Sequence, residues 1–267
     1  MTSLRILPTR PRRTGFHRDV VDGLGRRIVT GGLAPGEVIG DAASLSAGTR
    51  VSRTVAREAI KVLAAKGLVE SRPRVGTRVL PRDCWNMLDP DVLAWSLESD
   101  SSETRYEELY EIRAAIEPQV AALAARKRSD EEAGRLVELL GRMRDADGKV
   151  SQFVHADLEL HAAILDAAHN EILASLGGTI RLVWNACQRV SAHVPGGHAR
   201  AIEEHRTVVK AICDRDTNAA AASMEVLIQR AADDLHQVLA TETLLAAGPR
   251  SRRAARSTTG RHQPGWE

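Results

Sequence analysis

Aromatic side chains make up only 3% of the 267 residues, too few for the stacked faces of a β-sandwich. Alanine and leucine are abundant instead, which favours helix packed on helix. Cysteine is scarce as well. Cys84, Cys187 and Cys213 are odd in number, far apart and without a CxxC pair, so neither a disulfide framework nor a zinc ribbon is expected. A reducing cytoplasm fits such usage. No apolar run reaches the roughly 18 residues of a spanning helix. Nothing has the form of a signal peptide, and no membrane partner is expected. There is no HExxH, and no general base stands beside a nucleophile.

What is present is charge, unevenly spread. The net value of +2 hides 16 Lys+Arg against 6 Asp+Glu over residues 1–82, 16 against 28 over 83–245, and 5 against 1 over 246–267. A basic head on an acidic body suits a nucleic-acid reader that carries a separate sensing domain. The head is centred on Val51-Ser52-Arg53-Thr54-Val55-Ala56-Arg57-Glu58-Ala59-Ile60-Lys61-Val62-Leu63. At helical period Val55, Ala59, Val62 and Leu63 form an apolar stripe, while Arg53, Arg57 and Lys61 recur on another face beside Thr54. Ser52 is the expected N-cap, so cations crowd the end of the helix dipole that prefers anions. A phosphate backbone would turn that liability into a contact, and Arg53 or Arg57 could reach guanine edges. The alternative is a solvated basic face.

Downstream, Gly67 closes the helix and Leu68-Val69-Glu70-Ser71 alternates as a short strand. Arg72-Pro73-Arg74-Val75-Gly76-Thr77 turns, and Arg78-Val79-Leu80 returns. Helix, hairpin and three arginines at its tip describe a winged helix-turn-helix. Within a domain read as residues 16–82, residues 17–82 resemble the DNA-binding domain of the GntR family of bacterial transcription regulators. The carrying stretches are Ile28–Glu37, Val51–Ala59, Leu63–Val69 and Val75–Thr77. The family opens its second helix with Pro-Ser/Thr-Glu. Gly40-Asp41-Ala42-Ala43-Ser44 stands here, with Asp41 still able to cap, Ala42 at the usual glutamate and Ser44 at an often basic position. The resemblance implies that Arg53, Thr54, Arg57 and Lys61 meet double-stranded operator DNA and that Arg74, Gly76 and Thr77 seat the wing. It also implies a homodimer on a palindrome.

Residues 1–15 read as a disordered basic arm and 246–267 as a disordered basic tail. Residues 83–104 form a connector in which Asp89 caps and Pro90 starts a short helix, and two tryptophans suggest docking. From 105 to 245 the pattern is helical, six or seven helices in an all-α bundle. Its first long helix is expected to bury Leu109, Ile112, Ile116, Val120 and Leu123 and to kink at Pro118.

Asp157 and His161, four apart, share a helix face, and His205 lies on a later helix. A carboxylate and two imidazoles suit a divalent metal, although a solvated Asp–His pair has the same spacing. Residues 105–242 resemble the FCD domain, the ligand-binding module of the FadR-like branch of the family. The match runs through Tyr110–Arg113 with Glu117-Pro118, Asp157–Leu165, Ala168–Leu173 and Glu204-His205. It implies a Zn, Ni or Mn site at Asp157, His161 and His205, with Leu227 where the family's fourth ligand is a histidine. It further implies that Arg113 and Asn170 meet the effector, against the alternatives of an Arg113–Glu salt bridge and a helix cap at Asn170. The connector resembles that of the galactonate-repressor group, which implies an aldonate-like carboxylic acid. The expectation is therefore a mainly α, ligand-responsive repressor. A metal-dependent enzyme using Asp157, His161 and His205, or an architectural DNA-binding protein without effector, are the alternatives.

Overall fold

The computed structural model describes residues 16–48, 51–72, 74–100, 102–191 and 196–247; the expected arm and most of the expected tail lie outside them. In the head, α1 (Phe16–Val29) leads to a three-residue strand β1 (Val38–Gly40) and then to α2 (Ala42–Gly48) and α3 (Arg53–Ala65). Strands β2 (Val69–Arg72) and β3 (Gly76–Val79) form the hairpin. The sheet is antiparallel in the order β1-β3-β2, with Val69 opposite Val79 and Arg72 opposite Gly76. β1 was not expected, since three residues carry too little alternation to register. Gly67 is needed where it stands. Its φ is +74°, and a Cβ there would lie 2.1 Å from the Cys84 carbonyl oxygen.

The face of α3 that packs inward differs from the expected stripe. Ala56, Ala59, Ile60 and Leu63 are buried, whereas Val55 and Val62 are half-buried. The true set has spacing i, i+3, i+4, i+7, which points more squarely at α1 and α2. These residues join Val21, Leu24, Ile28, Leu68, Val69 and Val79 in the head's core.

Helix α4 (Pro90–Ser99) follows a 3₁₀ turn at Arg82–Cys84. Asp89 caps it through Asp91 N and Val92 N. Val92 and Trp95 enter the head's core, while Leu93 enters the body's. Trp95 fits only because Gly25 has no side chain: a Cβ there would come within 2.3 Å of the indole. The connector is therefore docked on both sides. Lys66, at the end of α3, holds Asp89 and Asp91 from the head side, and Thr179 Oγ1 donates to the Leu88 carbonyl from the body side.

The body is an all-α bundle of α5 (Glu103–Lys127), α6 (Asp130–Asp145), α7 (Val150–Ala167), α8 (Glu171–Ser175), α9 (Gly177–Ser191), α10 (Gly197–Cys213) and α11 (Thr217–Ala247). A reciprocal capping box between Ser129 and Glu132 starts α6. Pro118 lies inside α5 without ending it, and its missing N–H removes a partner from the Ala114 carbonyl. Ile112, expected inside, is 43% exposed. The inward face of α5 is instead Tyr106, Leu109, Tyr110, Arg113, Glu117, Val120 and Ala121. Two ionised residues sit where an apolar count placed none. Among the described residues no helix is long and apolar enough to cross a membrane.

Candidate functional site

The first candidate surface is the outer face of α3 with the wing. Ser52 caps the helix, accepting from Val55 N at 3.3 Å. Arg53, Thr54, Arg57 and Lys61 are all exposed on the following turns. Glu58 lies among them, with Lys61 Nζ 3.0 Å and Arg57 Nε 3.8 Å from its Oε1. Those contacts are solvent-exposed and weak, so the cations remain available to phosphate. In the wing, Arg74 is exposed at φ 63° and Gly76 adopts φ 100°.

Thr77 corrects the sequence reading. It is 2% exposed, with its Oγ1 3.5 Å from Ser71 Oγ, so its side chain braces the hairpin and does not face a duplex. Strand alternation sends Thr77 and Val79 inward and Arg78 outward. Arg78 is exposed, its Nε donating to the Gly36 carbonyl at 3.2 Å, and Arg72 pairs with Glu70 at 2.9 Å. The signal was available: counting by twos from Gly76 selects Arg78.

The second candidate is buried in the body. α7 supplies Asp157 and His161, α10 supplies His205, and all three are at most 2% exposed. His205 Nε2 stands 3.0 Å from Asp157 Oδ1 and 3.1 Å from His161 Nε2, which is 3.9 Å from Asp157 Oδ2. Of the other ring nitrogens, His205 Nδ1 faces the Ala201 carbonyl at 2.7 Å, and His161 Nδ1 faces Glu117 Oε2 at 3.0 Å. The Ala201 carbonyl only accepts, so His205 Nδ1 carries a proton, while Glu117 Oε2 has no hydrogen bond of good geometry. The two Nε2 atoms face each other beside the Asp157 carboxylate. Neither oxygen of Asp157 has a hydrogen bond of good geometry. Two imidazole nitrogens converging on a carboxylate suit a divalent cation.

Electrostatics agree. Burial alone would raise the Asp157 carboxyl, but His161 and His205 hold it below the usual carboxylate range. Burial would likewise lower the His205 imidazole, and Asp157 reverses this and pushes it up. Two nitrogens and a carboxylate oxygen suit Zn, Ni or Mn, and all candidate ligand atoms lie within 4.8 Å of one another.

Around this group the structure assigns the remaining expected residues. Leu227 on α11 is buried and helps to line a cavity with Phe153, Gln188, His198, His205 and Asp234. The cavity measures about 30 Å³, space for about two waters and far less than a six-carbon acid occupies. Arg113 is buried, its Nε donating to Glu117 Oε1 at 2.7 Å, while Nη1 and Nη2 have no hydrogen-bond partner among the described residues. The sequence pattern does not mark Glu117 as a site residue. Burial would raise its carboxyl, but Arg113 and His161 bring it down to about 2. Asn170 caps α8 through Ile172 N and Leu173 N.

Comparison with known proteins adds two family matches. The model described as bacterial regulatory proteins, gntR family, matches residues 16–79, and that of the FCD domain matches 108–230. The Galactonate operon transcriptional repressor of Escherichia coli (strain K12) is 30% identical over 82% of this chain and 96% of its own length. The uncharacterised HTH-type transcriptional regulator YieP of the same organism is 29% identical over 77% of this chain and 89% of its own. Among solved structures, Lar, which controls the expression of the Listeria monocytogenes agr system, superposes with a TM-score of 0.52. At 16% identity, with 85% of this chain and 99% of Lar covered, that likeness concerns the fold alone.

Proposed function

This chain belongs to the GntR family of bacterial transcription regulators and carries the FCD domain, and on that premise we propose how its surfaces divide the work. It is a ligand-responsive DNA-binding regulator, and the matched relatives are regulators, not enzymes. In our reading a homodimer sets two copies of α3 into successive major grooves of a palindromic operator. Arg53, Thr54, Arg57 and Lys61 read bases and phosphates there, and Arg74 and Gly76, with outward Arg78, settle the wing on the backbone.

In the same reading Asp157, His161 and His205 hold a divalent ion, which would polarise the carboxylate of an incoming small acid. Arg113 offers that acid its unpaired Nη edge for parallel hydrogen bonds. The aldonate class is taken from the relative named for galactonate. The observation that carries the sensing half is the pair of facing Nε2 atoms beside Asp157.

Since the cavity is far smaller than such an acid, the acid binds only a conformation in which α7, α10 and α11 have parted. That differential affinity is what a ligand-driven switch requires. Its passage to the head runs through α9, whose Trp184 touches Glu117 and whose Thr179 holds Leu88 at the start of α4. With DNA released when the acid binds, the protein acts as a repressor.

A thermal-shift matrix of the full chain tests this: Zn, Ni, Mn or chelator, each with and without aldonates. Metal at about 100 times its dissociation constant is expected to add about 2.7 kcal/mol, with a further rise from an aldonate only when metal is present. Loss of the metal response in Asp157→Ala completes the expectation. No response to any metal in the native protein would remove the metal; an acid response without metal would leave Arg113 as the sensor.

A further inference from the structure

We infer that Glu58 is a specificity-determining residue, an anion within the DNA-reading face that disfavours phosphate and accepts from a base amino group, an inference that rests on reading the outer face of α3 as the surface that meets DNA. Glu58 is the one acidic residue among the 13 of α3. Its side chain is 45% exposed, between Arg57 and Lys61 at 65% each, and exposed Arg53 and Thr54 lie one turn earlier. Lys61 Nζ at 3.0 Å and Arg57 Nε at 3.8 Å both approach the same oxygen, Oε1, which leaves Oε2 outside either ion pair. The hydrogen bond from Lys61 holds the Glu58 carboxyl below the usual carboxylate range, so the group is ionised at neutral pH.

On a duplex of arbitrary sequence such an exposed pair is weak enough to open, and Lys61 turns to a phosphate. The carboxylate cannot follow. It stays on the contact surface without its counter-charge, facing a backbone of its own sign, and that like-charge placement lowers affinity. The acceptor edges of guanine and thymine offer it nothing, whereas the N4 amino group of cytosine donates to it. A site with that amino group opposite Glu58 recovers the loss, and a site without it is disfavoured. If Glu58 served only to support the helix through its contact with Lys61, removing it would change stability slightly and leave the response to salt and sequence as it was.

Anisotropy titrations of the full chain on its own upstream DNA and on a shuffled duplex, from about 0.05 to about 0.2 M salt, test the inference. In Glu58→Ala both the charge and the acceptor are gone, and Lys61 is released to neutralise one more phosphate. Affinity for the shuffled duplex should rise at the lowest salt, and log affinity should fall more steeply with log salt, by about 0.9 per protomer. Preference for the upstream DNA should drop at least about fivefold, the low end of what one base-edge contact discriminates. Alanine suits an exposed helical position, so circular dichroism should show native helical content. Glu58→Asp, which keeps the charge, should keep the native salt slope.

A native slope or a native preference in Glu58→Ala overturns the inference, as does an aspartate variant whose slope matches that of alanine. Arg57→Ala tells this failure from failure of the premise. If Arg57→Ala loses the preference while Glu58→Ala keeps it, α3 still reads DNA and only the role of Glu58 falls. If both variants bind both duplexes as the native chain does, α3 does not meet DNA and the reading falls with the inference.

Discussion

Lys66→Met tests the joint between head and body. Lys66 is the C-cap of α3, its side chain only 11% exposed, and its Nζ lies 2.7 Å from both oxygens of Asp89 and 3.0 Å from Asp91. The methionine keeps the apolar stem near Trp95, over which the ammonium now sits at 5.9 Å, so the loss is electrostatic. Exposed ion pairs contribute about 0.2–1 kcal/mol, and breaking a buried one costs about 3–5 kcal/mol. Here the lysine is sunk while the carboxylates are 21% and 28% exposed, and Asp89 retains its two cap bonds. A cost of about 2 kcal/mol follows, midway between those limits. For a chain of this size that lowers the unfolding midpoint by about 4–8 °C. Scanning calorimetry of the ligand-free protein reads it directly. A fall under about 1 °C would show that the triad of Lys66, Asp89 and Asp91 does not hold α4 to the head.

The same clamp has a pH signature. Burial tends to lower the Lys66 ammonium, but Asp89 and Asp91 raise it above 10.5, so its contribution is full below 10.5 and lost as pH rises through the raised value. Denaturant titrations should give a constant difference between the native chain and Lys66→Met from pH 7 to about 10, narrowing above; narrowing already by pH 9 would be inconsistent. Arg57→Ala removes an exposed side chain, so stability should stay within about 0.5 kcal/mol. A dimer loses two base contacts at about 1–3 kcal/mol each, or roughly 30-fold to 10⁴-fold in operator affinity. Fluorescence anisotropy showing native affinity would discard α3 as the reader.

The parts of the fold that could be read from sequence are those fixed by local chemistry. Ser52 and Asp89 cap where expected, because a short side-chain acceptor satisfies the same orphan N–H groups in any context. Asp157 and His161 could be paired because helical spacing alone puts them on one face. What escaped was decided by tertiary partners. Glu117 is buried against Trp184, 67 residues later, and His161 on a third helix. Ile112 draws the apolar count toward the outer side of α5 because Arg113 and Glu117, an ion pair inside the core, count as polar. Thr77 was misplaced for a simpler reason: the hairpin was read by composition, where strand alternation would have turned it inward.

The most direct test is an anisotropy titration of the metal-loaded protein against its own upstream DNA and a shuffled duplex of equal composition, at about 0.15 M salt, with and without an aldonate. The account predicts at least about 10³-fold preference for the upstream DNA, and a loss of that preference when the acid is added. Equal binding to both duplexes would contradict the head's role, and a preference unmoved by every acid tried would contradict the body's.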